Sequence, residues 1–133
     1  MRPAPLFIVT AVLEVGTALL LLFVPAVPLA VLLGVEQAAP ETLLIARVAG
    51  VALLAIGVAC WLARGDERSA AQVGLLIGIL IYDVGAAALL AYAGIGLGMT
   101  GLALWPAVAI HAALAVWSLL SLRTGQSSRK PAR

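Results

Sequence analysis

Charge is scarce in this chain. Asp, Glu, Lys and Arg together make up 11% of its 133 residues, aromatics 5%, and there is one histidine and one cysteine. The lone cysteine, Cys60, excludes an internal disulfide and any Cys-x-x-Cys redox chemistry. The lone histidine, His111, excludes bis-histidine haem ligation, and with Glu14 and Asp83 it makes only a sparse metal set, so no metal is expected. No serine is placed beside it for nucleophilic catalysis, and an enzyme acting alone is not the expected reading. Eight basic residues against six acidic ones give a formal charge of +2. That is too small, and too much confined to the chain ends and one loop, to point to nucleic acid.

What the chain has in excess is apolar surface. Hydrophobic residues make up 64% of it, with a mean hydropathy of +1.16, more than a small soluble core can hide. The lipid bilayer is the partner such a composition needs. Four stretches, about 5–24, 42–63, 70–93 and 104–122, approach or exceed the roughly 20 residues that a helix needs to cross the hydrocarbon layer. None shows the alternation of a barrel strand, and backbone groups in lipid must be satisfied within their own segment. The expected fold is therefore all-α: a polytopic membrane protein with four transmembrane helices in a compact antiparallel bundle spanning 1–122.

The breaks fit. Pro25 and Pro28 end the first span, and AVPLAVLLG (26–34) reads as a short interfacial or re-entrant piece. RGDERS (64–69) is too charged to leave water, and an adhesion role for its RGD makes no sense on the cytoplasmic side. GLGMTG (96–101) satisfies G-x-G-x-x-G but has no strand before it and no later acid for a ribose, so it is not a dinucleotide site. The tail, 123–133, is basic and polar and is expected to be disordered. Arg2, Arg64, Arg68, Arg123, Arg129, Lys130 and Arg133 all fall on one side, while the opposite loops hold Glu36 and Glu41. Both termini are thus expected in the cytoplasm. The first 30 residues resemble a signal peptide, but Glu14 interrupts the run, which is as long as a full span.

Each predicted span contains one side chain that titrates or carries charge: Glu14, Arg47, Asp83 and His111. A charged residue at mid-helix costs about 2.5–3.5 kcal/mol on insertion scales, so each should turn inward and find a partner. At 1.5 Å per residue, Glu14 and Asp83 lie about 15 Å from the outer ends of their spans, His111 about 10 Å and Arg47 about 8 Å. The expectation is that all four meet, with Arg47 as the basic member. Two blander readings stand beside it: Arg47 snorkels to the outer headgroups, and His111 is a neutral histidine bonded to a backbone carbonyl or to a neighbouring helix.

Neighbouring positions sharpen the faces. Thr10, Glu14 and Thr17 share a stripe, and Tyr82 adjoins Asp83, so all are candidates to bind a ligand or relay a proton. Arg47, Gly50, Gly57 and Trp61 align on the second span. On the third, Gly74, Gly78 and Gly85 form a small-residue ridge expected to pack on one neighbour while Asp83 faces another. LEVGTALL (13–20) echoes YDVGAAALL (82–90), which reads either as a duplicated hairpin that places the two acids in equivalent sites or as a chance match in an Ala, Val, Leu and Gly-rich chain.

A first helix ending in proline, followed by ARVAGVALLAIGVACWLARGD, resembles the small four-helix bacterial membrane proteins called DoxX-like. The arginine-small-small-glycine run that opens their second helix is matched by Arg47 and Gly50. The resemblance covers about the first half of the chain. It implies a four-helix bundle in a bacterial inner membrane and, for some members, a link to quinone oxidoreductases. Three functions follow as expectations. The first is an accessory protein binding a small lipophilic molecule such as a quinone; the second, a proton-coupled transporter of small solutes; the third, a structural subunit that pairs with a membrane partner protein or itself.

Overall fold

The computed structural model describes residues 3–66 and 69–127, with side chains through 124. Arg2, Arg68, Arg129, Lys130 and Arg133, and the tail beyond 127, lie outside the described residues. Five helices follow one another: α1 (Ala4–Phe23), α2 (Ala26–Leu33), α3 (Pro40–Ala63), α4 (Ala70–Ile95) and α5 (Leu104–Ser127). Four of them, α1, α3, α4 and α5, are long and apolar enough to cross a membrane.

The boundaries have local causes. α1 stops at Phe23 because Pro25 follows: Val24 takes φ −135° and ψ 54°, away from the helical region that a residue before proline avoids. The stretch after it is an eight-residue helix, about 12 Å long at 1.5 Å per residue and too short to cross. Gly34, at φ +73°, caps α2 in the left-handed conformation. Pro40 opens α3 at a first-turn position where its missing N–H costs nothing. Ser69 caps α4, its hydroxyl accepting from the Gln72 amide at 3.1 Å. The buried Gln72 side chain donates to the Ala63 and Asp66 carbonyls, both at 3.3 Å, and so ties the α3–α4 turn. α5 runs to Ser127, past the expected end at 122, because nothing in LRTGQS stops a helix as proline would.

α1 packs closely along α3 and α4 along α5, while contacts between these two pairs are few. Glycine makes the first pairing close. A Cβ on Gly57 would lie 2.7 Å from Val15 Cγ2, and one on Gly50 would lie 3.0 Å from Leu21 Cβ. The α4 ridge behaves otherwise. A Cβ on Gly74, Gly78 or Gly85 would meet nothing within 4 Å, so among the described residues the expected packing of that ridge on a neighbouring helix does not occur. The pairs are joined by a core of Leu6, Phe7, Ala11, Cys60, Leu76, Ile79 and Leu114, drawn from all four long helices. Elsewhere the outer faces are aliphatic and open, with Ile45 69% and Leu89 70% exposed, as for helices whose solvent is lipid.

Candidate polar site between α1, α4 and α5

Glu14, Asp83 and His111 are brought together. One potential ligand atom from each lies within 4.8 Å of the other two. Asp83 is fully buried and Glu14 is 3% exposed. His111 Nδ1 and Asp83 Oδ1 are 2.9 Å apart, and the Tyr82 hydroxyl donates to Glu14 Oε2 at 3.4 Å. Tyr82 also stands edge-on to the His111 ring, the ring centroids 5.6 Å apart. The two acids of the sequence echo thus face each other with different partners, a phenol for Glu14 and an imidazole for Asp83.

Beside them is a cavity of about 140 Å³. Glu14, Thr17, Tyr82 and His111 supply its polar wall, and leucines, Ala107 and Ile110 from α1, α2, α4 and α5 supply the rest. Asp83 sits behind this wall, and its Oδ2 is buried without a hydrogen-bond partner among the described residues. Thr10 lies on the same α1 stripe, fully buried, its hydroxyl unpartnered among the described residues, but it does not line the cavity. A larger groove of about 470 Å³ between α1 and α3 is walled by Ala11, Val12, Val15, Gly16, Val58 and Trp61. It has no titratable side chain and suits an acyl chain.

Arg47 is elsewhere. It is exposed, and its Nε donates to the Leu22 carbonyl at 3.2 Å. The expectation that it joins the acids is corrected, for two reasons. α3 packs on a face of α1 away from the cavity and contributes none of its lining residues. The guanidinium also leans toward the start of α3, as helical side chains do, and meets one of the last carbonyls of α1, which have no intrahelical donor. Of the blander alternatives for His111, the bond is to a neighbouring helix and not to a backbone carbonyl: its partner is the Asp83 carboxylate on α4.

Two parts of the site were missed. Leu32, from the short α2, forms a cavity wall. Gly101 holds α2 there: a Cβ on it would collide with the carbonyl of Leu32, and next to it the Ala103 amide donates to the Val31 carbonyl at 2.9 Å. The signal was present in the glycine-rich, uncharged run before α5, where a glycine permits a close backbone approach. At the far end of α3, the Arg64 guanidinium lies 3.9 Å over the Trp61 ring and donates to the Trp61 carbonyl. That arrangement suits a water-facing helix end.

Compared with known protein families, with curated proteins and with solved structures, the chain matches none.

Proposed function

We propose that this chain is a multi-pass protein of a bacterial inner membrane that binds the polar head of a small lipophilic molecule, as a binding or accessory subunit. In this reading the long helices form an antiparallel bundle with both termini cytoplasmic. Arg64 and Arg123 then face the cytoplasm, and Glu36 and Glu41 the other side. One observation carries the functional part: Glu14, Tyr82 and His111, from three helices, line a single cavity whose remaining walls are mostly aliphatic. A few polar groups converging in an apolar hollow fix a ligand's orientation while the hollow supplies affinity.

Size narrows the class. Pockets that enclose a whole drug-sized ligand run to roughly 300–1,000 Å³, whereas about 140 Å³ admits a single ring or head group. The rest of the molecule would lie along the aliphatic helix faces in lipid. A quinone fits that description, its carbonyl oxygens taking hydrogen bonds from Tyr82 and His111, and it agrees with the DoxX-like resemblance. A short-chain ubiquinone added to the purified protein should raise its unfolding temperature, and Glu14→Gln and Tyr82→Phe should remove most of the rise. A shift equally large in both variants, or none in the wild type, overturns the reading.

Proton-coupled transport is the second reading. Its support is that two carboxyl groups and two proton-carrying partners, Tyr82 and His111, form hydrogen-bonded pairs side by side. Proteoliposomes would then show a proton flux that Glu14→Gln or Asp83→Asn abolishes. If substitutions at all these positions change stability alone, the chain is a structural subunit.

A further inference from the structure

With Arg47 bonded to the end of α1, the acids lose the compensating charge that the sequence offered them. Glu14 and Asp83 stay buried side by side, and among the described residues His111 is the basic group that contacts either of them. Asp83 Oδ2 adds a second anomaly, being enclosed with no partner among the described residues. Ionised, this oxygen is an unmatched acceptor; protonated, it is an unmatched donor. Either state carries the desolvation cost of an unpaired polar group in a protein interior. Moving a proton among these groups does not cure it.

We propose that Glu14, Asp83 and His111 are the protein ligands of a divalent first-row transition-metal ion, with Tyr82 orienting Glu14. Two carboxylates and a neutral imidazole around a doubly charged cation sum to zero charge, which a lipid-embedded site tolerates. The spacing suits it. Adjacent ligands on an ion with bonds of about 2.1 Å lie about 3.0 Å apart in an octahedral shell and about 3.4 Å apart in a tetrahedral one; His111 Nδ1 and Asp83 Oδ1, separated by 2.9 Å, are close to both. Small side-chain rotations bring the third donor in from its 4.8 Å limit. The ion takes the place of the hydrogen between His111 Nδ1 and Asp83 Oδ1; the imidazole stays neutral with its N–H on Nε2, and any further proton held by the three ligands leaves to solvent on binding. Mixed imidazole and carboxylate donors suit Zn²⁺, Mn²⁺ or Fe²⁺ better than Cu⁺, which favours thiolates, or Ca²⁺ and Mg²⁺, which favour all-oxygen sites. The cavity touches Glu14 and His111, providing an access route and room for water to complete the coordination.

This inference stands apart from the lipophilic-ligand reading, since the ion binds with or without a second ligand. The test uses the full chain without a polyhistidine tag, purified in detergent, stripped with chelator and titrated with Co²⁺ alone. The expected result is saturation at about one ion per chain, with visible d–d absorption that Zn²⁺ displaces. Asp83→Asn and His111→Gln should abolish it. Tyr82→Phe should weaken it by roughly 10–100-fold, as loss of a group that orients a ligand does. Arg47→Leu should leave it unchanged. Helical content by circular dichroism and a monodisperse elution establish that each variant is folded. Should the Asp83 and His111 variants fail to fold, X-ray absorption of the Co²⁺-loaded wild type decides instead, with one imidazole and oxygen donors expected. No saturable Co²⁺ or Zn²⁺ binding by the folded wild type overturns the proposal. So does binding that persists in folded Asp83→Asn, or a coordination shell containing sulfur.

Discussion

Arg47 Nε and the Leu22 carbonyl oxygen, 3.2 Å apart, join α3 to the C-terminal end of α1. The last carbonyls of a helix lack intrahelical donors, and its C-terminus bears partial negative charge. A guanidinium there satisfies both. Replacing Arg47 with leucine should therefore cost about 0.3–1 kcal/mol, the usual worth of a cation at a helix end. Replacing it with glutamate should cost more, by bringing like charge to that end. Thermal unfolding in detergent measures both effects. Co²⁺ and quinone binding should be untouched, and their loss in Arg47→Leu would return the arginine to the acids.

Asp83 and His111 form a close polar contact between α4 and α5, at 2.9 Å. Interhelical polar pairs in membrane proteins couple by about 0.6 kcal/mol on average and up to about 1.7 kcal/mol. Asp83 is fully buried, so the upper part of that range is expected. A double-mutant cycle with Asp83→Asn and His111→Gln in metal-free protein gives the value. Strictly additive single effects would mean that the contact contributes nothing to stability.

The span positions were legible because they depend on composition and length alone. So was the inward turn of Glu14, Asp83 and His111, since insertion cost forbids an unpartnered charge in lipid. Which of them would meet was not legible. Depth placed Arg47 at a level similar to His111, but depth says nothing about azimuth around α1. The face on which α3 packs is set by Gly50 and Gly57 against Ala18, Leu21 and Val15. The α4 ridge shows the same limit. Gly74, Gly78 and Gly85 carry the same small-residue signal as Gly50 and Gly57, yet among the described residues nothing lies within 4 Å of where their side chains would begin.

That contrast between glycines is itself testable. Gly57→Leu places atoms where Val15 Cγ2 already lies 2.7 Å from the first added carbon, with the Ala11 carbonyl 3.3 Å away. Overpacking of this kind costs about 1–3 kcal/mol, seen as a lower unfolding temperature. Gly78→Ala meets open space and should be neutral or stabilising by up to about 1 kcal/mol, the difference in helix propensity. Equal destabilisation by the two would mean that the α4 ridge is covered in the folded protein. A structural subunit pairing through that ridge would produce this result.

Gly101 offers the sharpest test of how α2 closes the cavity. Its missing side chain lets the loop before α5 lie on the backbone of α2, and the first atom of any side chain would strike the Leu32 carbonyl. Backbone cannot rotate aside as a leucine tip can, so Gly101→Ala must push α2 and the loop apart. The Ala103 amide then loses its 2.9 Å bond to the Val31 carbonyl, and Leu32 withdraws from the cavity wall. Hydrogen exchange at Ala103 should accelerate while the α1–α3 pairing keeps its protection, and quinone binding should weaken with it. Gly16→Ala, at a site with nothing within 4 Å, is the matched control. If exchange at Ala103 is the same in Gly101→Ala as in that control, α2 is not held by this contact and the cavity is not closed by Leu32.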